Sequence, residues 1–151
     1  MGVLGLYVNR DGCRTPMQWT GEPNAGFCPS DVKPWLPVLD NHREVNVETQ
    51  KGDQDSLFNT YRMLLHLRKQ HIALQEGALT LLDEVRDHPG VLVYRREHQV
   101  GSVCVIINFG LEAAVVENRT CCQRVVYSIG AAAQVARASI TLPPYSGHFL
   151  A

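Results

Sequence analysis

The sequence has no surplus of charge of either sign: 14 Lys and Arg stand against 15 Asp and Glu, a formal net charge of -1. Without a basic excess to neutralise phosphates, neither nucleic acid nor an anionic membrane is expected as a partner. Long apolar runs are also missing. The opening Met1-Gly2-Val3-Leu4-Gly5-Leu6-Tyr7-Val8 is short, has no basic lead and gives way to Asn9-Arg10-Asp11, so neither a signal peptide nor a membrane span is expected there. Leu6 stands where a myristoylation site needs Ser or Thr. The cysteines, Cys13, Cys28, Cys104, Cys121 and Cys122, are odd in number and nowhere spaced C-x-x-C, which speaks against a disulfide framework and a zinc site alike. A reducing, cytoplasmic setting fits this usage, and Cys104, inside an apolar run, reads as a small hydrophobe. Asn118-Arg119-Thr120 has the glycosylation pattern but, with no secretory lead, reads as a turn. There is no Gly-rich phosphate loop and no G-x-S-x-G nucleophile setting. His66 and His71 are five apart and do not share the helix face that a metal pair needs, so no metal and no cofactor are called for.

What is present is enough apolar material for one ordinary domain, 45% of 151 residues. The most unusual stretch is Arg10-Asp11-Gly12-Cys13-Arg14-Thr15-Pro16-Met17-Gln18-Trp19, continued by Asn24-Ala25-Gly26-Phe27 and Pro34-Trp35-Leu36-Pro37-Val38. Both tryptophans lie in it, and prolines at 16, 23, 29, 34 and 37 exclude a helix or a central strand. A long loop of this kind that carries Met17, Trp19, Phe27 and Trp35 is expected to be ordered and functional rather than disordered. Asn46-Val47-Glu48-Thr49-Gln50 is too short to assign alone.

A helix of about four turns is expected from Asp55, with Asp53 and Asp55 at its N-terminal end and Arg68, Lys69 and His71 near the other. Leu57, Tyr61, Leu64, Leu65 and Arg68 follow helical spacing, so an apolar stripe should face a core. Gly77 ends the helical region. Beyond it, strands are expected at 78–82, 91–95, 100–109, 113–116, 124–128, 138–142 and 147–150, with turns at Asp87-His88-Pro89-Gly90 and Glu97-His98. Short strands in this number imply an antiparallel β-sandwich, with Val103-Cys104-Val105-Ile106-Ile107 as a central strand. The fold class is therefore mainly β: a C-terminal sandwich preceded by a long loop and one helix. The expected division is 1–76 and 77–151.

Chemistry candidates are few. Asp11, Glu22 and Asp31 are loop acids that could pair for acid/base work, although such residues more often cap turns. Arg10 and Arg14 could donate forked hydrogen bonds to a carboxylate or to sugar hydroxyls, or pin the loop to neighbouring carbonyls. The residues leave both roles open for Arg14 and favour pinning for Arg10.

Arg14-Thr15-Pro16-Met17-Gln18-Trp19, Asn24-Ala25-Gly26-Phe27, Pro34-Trp35-Leu36-Pro37 and Asn46-Val47-Glu48-Thr49-Gln50 resemble the C-terminal part of α-glucosidases of glycoside hydrolase family 13, the α-amylase superfamily. Tyr61-Arg62-Met63-Leu64-Leu65-His66-Leu67-Arg68 is similar to the last barrel helix of that family, and Leu142-Pro143-Pro144-Tyr145-Ser146-Gly147 to the closing strand of its C-terminal β-domain. The resemblance runs from about residue 10 to the end and implies a (β/α)8 barrel whose loops build a glucose pocket, so that residues 1–76 would close the barrel. It implies retaining cleavage of a terminal α-glucosyl bond by two carboxylates helped by a further aspartate, all on earlier strands. None falls in this chain, so no catalytic residue is assigned and inactivity alone is expected. Arg14 matches the motif arginine that holds hydroxyls of the non-reducing-end glucose, while Trp19 and Phe27 match positions that pack the loop. Thr20-Gly21 departs from the family, which usually has aspartate after the motif tryptophan, and Met1 to Asn9 does not resemble the preceding barrel.

The implied ligand is thus an α-glucoside or maltooligosaccharide, with trehalose synthase and oligo-1,6-glucosidase as variants within the family. The alternative is a stand-alone β-sandwich that binds carbohydrate or protein. Its aromatics, Tyr94, Phe109, Tyr127, Tyr145 and Phe149, fall largely where core side chains are expected. Without a barrel against it, the helix stripe is expected to drive self-association.

Overall fold

A computed structural model describes residues 11–82, 88–118 and 124–151. Arg10, Asp87, Arg119-Thr120, Cys121 and Cys122 lie outside the described residues. The chain divides into two compact units, Met1–Arg62 and Met63–Ala151.

The first unit is loop with short 3-10 turns at Asp11–Cys13, Pro23–Gly26 and Asp40–Arg43, followed by α1 (Val47–Gly52) and the start of α2 (Leu57–Gln70). Asn46-Val47-Glu48-Thr49-Gln50 is helical because Asn46 caps it: its Oδ1 accepts the Thr49 N–H at 2.8 Å. The start of α2 differs from expectation. Ser56, not Asp53 or Asp55, caps it, accepting the Asn59 N–H on Oγ at 3.2 Å. Asp53 instead accepts the Asp55 N–H within the connecting turn. Buried Asn59 then donates to the carbonyls of Gln50 at 3.0 Å and Asp53 at 2.7 Å, satisfying the acceptors that the end of α1 leaves free.

The expected apolar stripe on α2 does not face a core among the described residues. Leu57 is 66% exposed, Tyr61 62% and Leu65 57%. Only Leu67 of this helix is a buried apolar residue, packed with Ala73 and Leu74 of α3 (Ile72–Glu76) against the sheet. The helix breaks at His71, and Arg68 ties the break by donating to the Leu74 carbonyl. Gly77 ends the helical region, as expected, for a steric reason. A Cβ there would lie 2.4 Å from the Ala73 carbonyl oxygen and 2.9 Å from that of Glu97.

Among the described residues the second unit forms eight strands: β1 (Ala78–Leu81), β2 (Val91–His98), β3 (Gly101–Asn108), β4 (Ala114–Glu117), β5 (Val125–Ile129), β6 (Gln134–Val135), β7 (Ser139–Leu142) and β8 (Ser146–Leu150). They make a five-stranded sheet in the order β1-β2-β3-β8-β5 and a three-stranded sheet β4-β7-β6, with every pairing antiparallel. This is the expected sandwich with one further two-residue strand. The turn expected at Glu97-His98 sits two residues later. Both residues pair across to Ser102 and Gly101, leaving Gln99-Val100 as the hairpin turn.

The side-chain period of two explains the core. Val93, Cys104, Ile106 and Leu150 on one face of the large sheet pack with Val116, Ile140 and Leu142 of the small one. Val103 and Val105, on the other face, pack with Leu67, Ala73 and Leu74 and with Tyr94, Tyr127 and Phe149. The central-strand expectation for Val103 to Ile107 is met, since β3 lies between β2 and β8. Burial raises the pKa of the Tyr94 phenol above its ordinary value, against the lowering effect of Arg96. No helix among the described residues is long and apolar enough to cross a membrane.

Candidate functional site

The motif loop is organised by its backbone. Asn24, Ala25 and Gly26 follow one another in the left-handed region at φ 54°, 53° and 64°. This turn aims the Ala25 carbonyl back at the motif, where the N–H groups of Trp19 and Thr20 donate to it at 2.9 and 3.1 Å. Ala25 is fully buried, and Asn24 Nδ2 holds the next segment by donating to the carbonyls of Pro29 at 2.7 Å and Val32 at 2.8 Å. Asparagine and glycine tolerate this conformation, whereas alanine adopts it at a cost of about 1–2 kcal/mol. The strain is held in place by packing and by four hydrogen bonds, the arrangement expected where a loop must keep one shape.

The same stretch closes onto α1. The Gln18 and Trp19 carbonyls accept the N–H groups of Val47 and Glu48 at 3.0 Å each, the two first orphan donors of the helix. Gln18 Nε2 donates to Asn41 Oδ1 and to the Val45 carbonyl, and buried Asn46 Nδ2 donates to the His42 carbonyl at 2.8 Å. Residues 18 to 49 are therefore one hydrogen-bonded body. Thr20, at the position where the resembled family usually has aspartate, accepts the Glu22 N–H on Oγ1 at 3.3 Å.

This body presents its large side chains outward. Trp35 is 95% exposed, and Met17, Trp19 and Phe27 are each about half exposed. Trp19 and Phe27, expected to pack the loop, each keep about half of their surface in the open, while Pro16 and Ala25 are buried. Arg14 follows the first 3-10 turn, is exposed, and makes no hydrogen bond or ion pair to another described residue. Its guanidinium is not engaged in pinning the described loop. Glu22 and Asp31 are also exposed.

Among the described residues no cluster of three His, Cys, Asp or Glu side chains could hold a metal ion. His66 stands on the surface beside Gln70, 2.9 Å from its Nε2, and His71 lines a shallow cleft of about 400 Å³ with Gln70, Val100 and Ser102. That cleft contains neither Arg14 nor a candidate acid. Sequence reading did not single out Asn24, Asn46 or Asn59 as organisers. The Asn-x-Gly spacing and the Asn three residues before Thr49 were the available signals.

Comparison with known proteins agrees with this arrangement. The catalytic-domain model of the α-amylase family matches residues 4–77, beginning earlier than Arg10, so the resemblance extends into the opening residues. Over 110 residues the chain is 44% identical to a probable oligo-1,6-glucosidase 2 of Bacillus subtilis (strain 168), covering 73% of this chain and 19% of that protein. It is 38% identical over 107 residues to a trehalose-6-phosphate hydrolase of the same organism, covering 70% and 18%. The trehalulose synthase MutB from Pseudomonas mesoacidophila MX-45 superposes with a TM-score of 0.80 at 30% identity, covering 93% of this chain and 25% of that one. The chain thus spans about a fifth of the length of the curated relatives it matches, 19% of the first.

Proposed function

Since the chain belongs to the α-amylase family of glycoside hydrolases, we propose that it is the C-terminal part of an α-glucosidase-type enzyme acting on terminal α-linked glucose of maltose or short oligosaccharides. In this reading residues 1–76 close the catalytic barrel on its substrate side, and residues 77–151 form the C-terminal β-domain. Arg14 holds the hydroxyls of the non-reducing-end glucose. The family's carboxylates lie on barrel strands that precede the motif loop, so this chain alone does not turn over substrate.

The observation that carries the reading is the state of the motif loop. A loop that holds its shape through its own hydrogen bonds, yet leaves Arg14 without a described partner and Trp35 in the open, is built to meet something other than itself. The identity to a probable oligo-1,6-glucosidase favours an α-glucoside as the sugar. We place the enzyme in the cytoplasm and expect the isolated chain to associate with itself through Leu57, Tyr61 and Leu65.

Purified chain incubated with maltose and with a chromogenic α-glucoside tests the central point. No turnover is expected. Clear hydrolysis abolished by Arg14→Ala would show instead that the chain is a complete catalyst.

A further inference from the structure

Between the two sheets lies one group that the glycosidase reading does not use. His148 of β8 is fully buried and shares a cross-strand row with Ile106 of β3 and Ser128 of β5. Ser128 Oγ lies 2.9 Å from its Nδ1, and Ser146 Oγ lies 2.9 Å from its Nε2. Ser146 Oγ is in turn 2.6 Å from the Pro143 carbonyl oxygen, which also takes a hydrogen bond from Asn108 Nδ2 at 2.9 Å.

The proton positions follow from the end of this chain. A carbonyl only accepts, so Ser146 donates its single proton to Pro143. Ser146 then has only acceptor capacity for the ring, which places a proton on Nε2. Nδ1 is left as the acceptor of the Ser128 hydroxyl. Every hydrogen bond in the relay is satisfied, and the solution contains a neutral histidine.

We propose that this relay is an acid-sensitive latch on the closing strand: with His148 neutral it ties β8 to β5 and to the 143–146 turn, and protonation at Nδ1, which turns the Ser128 hydroxyl from donor to acceptor and buries a charge, weakens the tie and loosens the β-domain. A proton on Nδ1 would point at a hydroxyl that must turn its own proton away, and it would place a full charge at a fully buried site beside Ile106, on the sheet face that packs with Ile140 and Leu142. The charged residues on the same face of the large sheet, among those described, are Arg95 and Glu97 of β2, and Cys104 of β3 is the nearest thiol by register. Arg95 repels an imidazolium, and Glu97 is already 3.4 Å from Arg95 Nη2, so neither serves as a counter-ion. From the small sheet the inward residues are Val116, Ile140 and Leu142, with Ala114 and Val135 at the margin, all apolar. Because β8 lies between β3 and the edge strand β5, loosening it frees that edge of the large sheet.

Burial already holds the His148 pKa below its ordinary value. An unfolded chain takes up this proton at about pH 6.5, and the folded one does so only at lower pH. The unfolded state therefore binds more protons in that window, and stability rises with pH across it. The latch is fully engaged above about pH 6.5 and its contribution is lost as pH falls.

Urea unfolding of the full chain, followed by far-UV circular dichroism from pH 8 to pH 5, tests this. Relative to His148→Gln, the unfolding constant of the native chain should rise by up to about tenfold per pH unit below about 6.5. Ser128→Ala removes the donor that favours the neutral ring, which brings the folded pKa back toward the unfolded one, so the rise should still begin near pH 6.5 but be smaller between pH 6.5 and pH 5. Nitrogen-15 spectra of the imidazole at pH 7.5 should show a proton on Nε2 and none on Nδ1. Parallel pH profiles for native and His148→Gln chains would overturn the proposal. If His148→Gln does not fold, an undiminished rise in Ser128→Ala or a proton on Nδ1 at pH 7.5 would overturn it equally.

Discussion

Gly26→Ala measures how far the motif loop depends on one packed turn. Gly26 sits at φ 64°, and a Cβ built on it would lie 2.7 Å from Thr20 Oγ1, 3.4 Å from Thr20 Cγ2 and 3.6 Å from Thr20 Cβ. Two costs arise. The left-handed backbone costs an alanine about 1–2 kcal/mol wherever its side chain points. The 2.7 Å contact must be relieved by turning Thr20 or shifting the turn, an overpacking cost of about 1–3 kcal/mol that also strips the Glu22 N–H of its cap. Together they give about 2–5 kcal/mol. In a Thr20→Ala background the oxygen and methyl are gone, only the 3.6 Å contact remains, and the same substitution should cost about 1–2 kcal/mol. The coupling between the two positions is then about 1–3 kcal/mol in the double-mutant cycle. Tryptophan fluorescence during urea unfolding is the assay, since Trp19 and Trp35 both lie in the first unit. An equal cost in both backgrounds would refute the account of the turn.

Gly77→Ala should be worse still, at about 3 kcal/mol or more, because the atoms its Cβ would meet at 2.4 and 2.9 Å are backbone oxygens that cannot turn aside; a thermal melt near that of the native chain would count against it. Asn108→Ala leaves the Gly110 N–H and the Glu112 and Pro143 carbonyls short of a partner at a nearly inaccessible site, for a loss of about 3–5 kcal/mol in urea unfolding. Leu65→Lys, on the open face of α2, should leave folding stability within about 0.5 kcal/mol and lower the apparent mass in analytical ultracentrifugation. An unchanged mass distribution would remove the helix stripe from the account of self-association.

Much of the β-domain was legible because period-two alternation and turn residues act locally. The strands expected at 91–95, 138–142 and 147–150 lie within a few residues of those formed. Where reading failed, a tertiary partner decided. Gln134–Val135 is too short to signal itself and is a strand only because it pairs with Thr141 and Ile140. Glu97-His98 has turn composition, yet the register set by β3 keeps both residues in the ladder. Asp53 and Asp55 are good capping residues, but they stand three residues and one residue too early, and Ser56 caps α2 through its bond to the Asn59 N–H. The stripe on α2 was correctly located as apolar, but periodicity does not say what covers it. In the loop, Arg14 came from the motif alone. The left-handed path of Asn24 to Gly26, which gives that loop its shape, follows from a steric fit to Thr20 that spacing does not reveal.

The most direct test joins this chain to a barrel. In a chimera, residues 14–151 replace the matching segment of the Bacillus subtilis probable oligo-1,6-glucosidase 2, whose 44% identity over 110 residues makes exchange feasible. Hydrolysis of a chromogenic α-glucoside is then measured with and without Arg14→Ala. The account predicts an active chimera in which Arg14→Ala lowers kcat/KM by at least about tenfold, the loss of one charged hydrogen bond to substrate, with folding stability unchanged. A folded chimera that hydrolyses the substrate equally well with either residue would contradict it.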